Sequence, residues 1–119
     1  MHELSIIQHI ISIAEEEVDR RGNCHRVESV DLEIGELAGV ELESLLFLWD
    51  SAVAQTVLDK AACHIHPEPG TAVCADCNHI FQVKQFFDPC PQCQSHLISI
   101  TGGEALRIKS LVLVDLNSN

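Results

Sequence analysis

Two cysteine pairs constrain this chain more than any other feature: Cys74-x2-Cys77, then twelve residues, then Cys90-x2-Cys93. Two thiolates three residues apart can turn over one knuckle and face the same ion. Two such knuckles supply four sulfur donors in a tetrahedron, the closed shell that a structural Zn(II) takes. The gap is shorter than in most zinc ribbons, but it is long enough for a hairpin-like return.

Other uses of the quartet are open on spacing alone. Two disulfides would fit it. The N-terminus, however, has no charged n-region before its first apolar stretch and places acidic residues after it, unlike a secretory signal. The expected compartment is therefore the cytoplasm, where thiols stay reduced and metal is favoured over disulfide. A redox CxxC usually stands alone beside a βαβ pattern, whereas here there are two pairs. Iron in a four-thiolate site satisfies the same spacing.

The remaining 119-residue composition narrows the function classes. The length suits one domain, or one core with a small metal-stapled lobe. Apolar residues make up 46% and aromatics only 4%, so the core must be Leu, Ile, Val and Ala. No apolar run reaches membrane-spanning length, so no membrane partner is expected. The net charge of −11 opposes binding to a phosphate backbone, so no nucleic acid is expected either. It suits cation handling or a basic protein partner.

Periodicity predicts a helix over residues 4–21, with Leu4, Ile7, Ile11, Ala14 and Val18 as its stripe and Ile6, Ile10 and Ile13 broadening it. Gly22 is its expected C-cap, and Ser5 with Gln8 fits a capping box. Residues 27–34 alternate as a half-buried strand. A second helix is expected over 41–58, a strand over 61–67 and a last strand over 105–116. The run Leu111–Val114 reads as a central or well-covered strand. Gly102-Gly103 reads as a hinge-like exit from the cysteine segment, and residues 117–119 as a frayed tail. The fold class is α+β: a small mixed three-stranded sheet with two helices, plus an inserted zinc-ribbon-like lobe. Residues 1–70 and 103–119 form the expected core. Residues 71–102 form the lobe, whose two ends should lie side by side on the core.

The chain opens Met1-His2-Glu3. The α-amine, the His2 amide nitrogen and the His2 Nδ1 can close a five- and a six-membered chelate. Nitrogen donors in one plane suit Ni(II) or Cu(II). The competing reading is a solvated, frayed terminus. His79 and His96 follow the two knuckles and are candidate accessory ligands, either replacing a thiolate or standing beside the metal. The competing reading makes both surface residues. His64 and His66 share one face of the second strand, where a wet sheet face is expected. Cys24 and Cys63 lie outside the quartet and are read as small buried thiols.

Taken together, Met1-His2-Glu3-Leu4-Ser5 opening an amphipathic helix, an acidic α/β core and the late cysteine quartet resemble the HypA/HybF family. The segment Val30-Asp31-Leu32-Glu33-Ile34-Gly35-Glu36-Leu37 resembles that family's first strand and the loop after it. These are nickel-insertion accessory proteins for nickel–iron hydrogenase and, in some organisms, urease. The resemblance implies a metallochaperone, not an enzyme. It implies Ni(II) at His2 with Met1 and Glu3, where Glu3 either ligates or orients His2. It implies structural Zn(II) at Cys74, Cys77, Cys90 and Cys93. The implied partners are a HypB-type GTPase and the hydrogenase large-subunit precursor, or the urease accessory machinery. Either a monomer or a homodimer fits the sequence. The rival functions are a zinc-ribbon adaptor with no transferable metal and an iron electron carrier.

Overall fold

Burial along the first helix follows the 3.6-residue period. In α1 (Glu3–Arg21), Ile7, Ile10, Ala14 and Val18 are buried, so the stripe centres on Ile10 rather than Ile11. Leu4, expected inside, is 46% exposed. The helix starts at Glu3, which places Ser5 inside the first turn and leaves no capping box there. Gly22 ends the helix as expected: its φ is +102°, a conformation favouring glycine, and its N–H donates to the Asp19 carbonyl at 3.3 Å.

These elements belong to a computed structural model that describes residues 3–22 and 25–115. After α1 come β1 (His25–Gly35), α2 (Leu42–Val53), β2 (Ala62–Glu68), β3 (Gly70–Cys74), β4 (Ile80–Val83), β5 (Ile98–Gly102) and β6 (Leu106–Asp115). One three-stranded sheet has the order β2-β1-β6 and another the order β4-β3-β5. The chain forms two compact units. The first holds the residues up to Leu32, Val40–Ile65 and those from Ile108 onward. The second holds Glu33–Gly39 and His66–Arg107.

In the first unit, Val27, Val30 and Leu32 of β1 are buried along with the apolar faces of both helices. Trp49 of α2 is 3% exposed and donates its Nε1–H to the Ala61 carbonyl at 3.4 Å. A buried indole needs such a partner for its single polar group.

Two expectations are corrected here. Helix α2 stops at Val53 rather than continuing to residue 58. Ala54 leaves the helix with ψ 135°, Gln55 takes φ +65°, and the Thr56 hydroxyl donates to the Val53 carbonyl at 2.6 Å. Leu58 is buried, but as the anchor of a turn, so its apolar character does not report helix. Strand β6 is an edge strand, not a central one. Its residues are half-buried or exposed, and Val112 is 43% exposed. Strand β1 lies between β2 and β6, and the two ends of the cysteine segment do lie side by side, with Thr71 opposite Gly102.

In the second unit, β3 is central. It pairs antiparallel with β4, from Gly70 opposite Val83 to Val73 opposite Ile80, and with β5, from Thr71 opposite Gly102 to Cys74 opposite Ile98. Its core is Leu37, Ala72, Cys74, Phe81, Val83 and Cys90. Gly102-Gly103 belongs to a packed crossing rather than a bare hinge. Gly103 has φ +86°, and a Cβ there would lie 2.5 Å from the Gly70 Cα. A Cβ on Gly35 would lie 2.0 Å from the Gly103 carbonyl oxygen. Backbone bonds at 2.8 Å from Gly35 N–H to Ala105, Glu36 N–H to Glu68 and Leu37 N–H to Gly103 hold the crossing. No helix of the described residues is long and apolar enough to cross a membrane.

Candidate metal centre

Each cysteine pair builds its own knuckle, and the two are locally alike. The Asn78 N–H donates to the Cys74 carbonyl at 2.9 Å, and the Gln94 N–H donates to the Cys90 carbonyl at 2.8 Å. Cys74 N–H donates to the His79 carbonyl at 2.9 Å, and Cys90 N–H to the Ser95 carbonyl at 2.8 Å. Asn78 and Gln94, each the residue after a pair's second cysteine, have φ of +60° and +65°. That left-handed residue reverses the chain and lets both thiols of a pair point the same way.

The turns bring all four sulfur atoms within 4.8 Å of one another. Cys74 and Cys93 Sγ are 3.5 Å apart, and Cys77 and Cys90 Sγ are 3.6 Å apart. A tetrahedron of Zn–S bonds near 2.3 Å has edges of about 3.8 Å, so the donor set fits Zn(II). Cys74 and Cys90 are fully buried and Cys93 is exposed.

Backbone dipoles prepare the sulfurs for charge. The Cys77 N–H, with help from Asp76, bonds the Cys74 sulfur and brings its pKa down to about 7. The Ser95 N–H also favours a Cys93 thiolate, but the Cys74 sulfur and burial outweigh it, and Cys93 is pushed up to about 12. At Cys77 the His79 N–H pulls down, yet burial and the Cys90 sulfur leave the pKa raised. One thiolate forms readily and discourages its neighbours. A divalent cation removes that repulsion, which is the chemistry this cluster is built to accept.

His79 is half-buried and stacks on Phe81, with ring centroids 5.9 Å apart and planes 11° apart. His96 is exposed. Neither is part of the four-donor group, and no other group of three metal-capable side chains occurs among the described residues. His64 is exposed and His66 half-buried on β2. Cys63 is half-buried, and burial, then the Asp31 charge, pushes its thiol up to about 11. Met1, His2 and Cys24 lie outside the described residues.

Glu3 is described, and its contact was not legible in the sequence. Its carboxylate accepts the Glu41 N–H at 3.2 Å. Glu41 is the N-cap of α2 and caps that helix with no side chain of its own. Glu3 therefore brings negative charge to the positive end of the α2 dipole. Their separation of thirty-eight positions kept the pairing out of any local reading.

Comparison with known proteins places this arrangement. Residues 1–113 match the profile of the family described as hydrogenase/urease nickel incorporation, metallochaperone, hypA. The chain is 45% identical over 113 residues to the hydrogenase maturation factor HypA of Parabacteroides distasonis, covering 95% of this chain and 97% of that protein. It is 44% identical over 111 residues to the HypA of Alkalilimnicola ehrlichii, covering 93% and 97%. The solution structure of the Ni metallochaperone HypA from Helicobacter pylori superimposes with a TM-score of 0.66 at 26% identity, over 97% of this chain and 99% of that one. With two helices, two small sheets and a four-cysteine cluster in one chain, and with relatives over nearly its full length, this protein belongs to the HypA family of hydrogenase maturation factors.

Proposed function

We propose that this protein is a non-catalytic nickel metallochaperone of hydrogenase maturation. It carries Ni(II) on Met1 and His2, with Glu3 beside them, and a structural Zn(II) on Cys74, Cys77, Cys90 and Cys93. Family membership over residues 1–113 is the observation that carries the reading, and the four convergent sulfurs support the zinc. Zinc here supplies a cross-link between the two knuckles of a segment with a small core.

Nickel is cargo. The α-amine, the His2 amide nitrogen and the His2 Nδ1 provide nitrogen donors for a tetragonal ion. Glu3, held on the α2 N-terminus, anchors the start of α1 and thereby the base of this arm. Release is a ligand exchange to a thiolate-rich acceptor once two proteins dock, and it needs no unfolding of either unit. The partners of this reading are a HypB-type GTPase and the hydrogenase large-subunit precursor, or urease accessory proteins, in the cytoplasm. The division of labour is nickel in the first unit and zinc in the second.

The test is nickel titration with metal analysis on protein with its native N-terminus, beside His2→Ala and a form with extra residues before Met1. Uptake of nickel beyond zinc by the wild type, abolished by both changes while zinc stays, is expected. Absent uptake, or uptake surviving both changes, overturns the reading.

A further inference from the structure

The two sheets leave β2 and β6 at the edges of one and β4 and β5 at the edges of the other. Three of these edges carry their own protection. Strand β4 has four residues and β5 five, and such short edges are poor templates for another chain. Strand β2 carries Pro67, which has no N–H to donate. Strand β6 runs ten residues without a proline or glycine, and its stretch from Leu111 to Val114 is wholly apolar.

That stretch has the composition of a central strand and the position of an edge one. Val112 is 43% exposed, and Leu111 and Leu113 are only half-buried. With Ile108, Ile13, Glu17 and Arg21, the two leucines line a groove of about 300 Å³ between β6 and α1. Among the described residues, β1 is the only strand paired with β6. One added strand would cover both the open backbone edge and the leucines.

The sequence of β6 specifies that strand. With a second β6 running antiparallel and the two-fold axis at Val112, Leu111 meets Leu113 in both halves, Ser110 meets Val114, and Lys109 meets Asp115 at each end. Two opposite-charge pairs then flank an apolar centre. Moving the axis to Leu111 sets Lys109 against Leu113, and moving it to Leu113 sets Leu111 against Asp115. Only the Val112 register satisfies the lysine and both leucines.

We propose that β6 pairs antiparallel with β6 of a second copy of this chain, giving a homodimer with one six-stranded sheet in the order β2-β1-β6-β6-β1-β2. The interface is isologous, so the two-fold closes it and no edge of β6 remains. Both α1 helices lie on the same face of the joined sheet. The pairing goes beyond the metal reading and stands independently of it.

The experiment is sedimentation equilibrium of the zinc-loaded protein over a range of concentrations. The wild type is expected to show a monomer–dimer equilibrium. Val112→Lys sets two like charges against each other at the axis, and is expected to weaken the dimer at least tenfold while zinc content and circular dichroism match the wild type. Lys109→Asp is expected to weaken it too, and Lys109→Asp combined with Asp115→Lys to restore it, because both charge pairs are then reversed together. A wild type that stays monomeric at every concentration overturns the proposal. So does a dimer indifferent to Val112→Lys and Lys109→Asp, which places the interface elsewhere, and so does a folded double variant that fails to regain the dimer. Protection of β6 amides that appears only when the hydrogenase large-subunit precursor is added assigns the edge to that protein and also overturns the second copy.

Discussion

The Glu3 carboxylate caps a helix thirty-eight residues away, accepting the Glu41 N–H at 3.2 Å. That contact ties the root of the N-terminal arm to the start of α2. Glu3→Ala is expected to cost about 0.5–2 kcal/mol in denaturant unfolding, the usual range for a lost cap. Glu3→Gln keeps an acceptor but loses the charge, and is expected to cost about 0.3–1 kcal/mol through the helix dipole. Nickel uptake measured on both variants separates anchoring from ligation. If Glu3 only anchors, Glu3→Gln retains uptake and Glu3→Ala weakens it. If it ligates through its side chain, both weaken it.

Zinc uptake by the metal-free protein should release protons. Cys77 is raised and Cys93 sits at about 12, so both are protonated at pH 7.5, and each must lose its proton to bind metal. Calorimetry in buffers of different ionisation enthalpy is expected to count at least two protons per zinc. Because protons compete for the sulfurs, zinc occupancy should fall as pH falls. A count near zero would mean that the metal does not sit on these thiols.

Removing zinc with a chelator should strip amide-exchange protection from β3, β4 and β5, whose core includes two of the four sulfur-bearing residues. Protection in α1 and α2 should persist, since their buried residues are Ile, Leu, Val, Ala and Trp, not metal ligands. Hydrogen-exchange mass spectrometry reads both at once. Equal loss across all five elements would refute the assignment of zinc to the second unit's stability.

The packed crossing in the second unit is expected to reject any side chain. Gly103→Ala combines positive φ with a Cβ 2.5 Å from the Gly70 backbone, for an expected cost of about 2–4 kcal/mol. Gly39→Ala serves as the contrast: φ is also positive, at +74°, but no atom lies within 4 Å of the added Cβ. About 1 kcal/mol is expected there, from backbone strain alone. Equal costs in urea unfolding would show that close approach contributes nothing at Gly103.

Cys63 should be a poor nucleophile. A thiol near pKa 11 rather than 9 holds about a hundredfold less thiolate at pH 8; the greater intrinsic nucleophilicity of that thiolate offsets part of this, and alkylation should be about tenfold slower than for an unperturbed thiol. The raised pKa also fixes the sign of its linkage. The folded state holds the proton more tightly, so this contribution to stability is present below pH 9 and is lost as pH rises from 9 to 11. Cys63→Ala should flatten that alkaline loss in unfolding midpoints measured across the window.

Features that reside in a few consecutive residues were legible before any coordinates. The cysteine spacing anticipated two knuckles whose four sulfurs converge, because a CxxC turn is closed by bonds between near neighbours: Cys74 with Asn78, Cys90 with Gln94. The stripe of α1 and the alternation of Val30, Leu32 and Ile34 were legible for the same reason, since a 3.6- or 2-residue period is a local property. Long-range contacts were not. Leu58 looked helical because burial alone creates an apolar position, whether on a helix or under a turn. The Leu111–Val114 run looked central because apolar residues on an edge strand and on a central one read alike. Leu37 packs in the core that contains Cys74 and Cys90, although it is thirty-seven residues from the first of them. Glu3 meets Glu41 only because α1 and α2 pack together. Local hydrogen bonding and periodicity are written in neighbouring residues. Which surfaces meet, and which side chain is left facing outward as Val112 is, depends on how distant segments share a finite core, and only the folded chain resolves that.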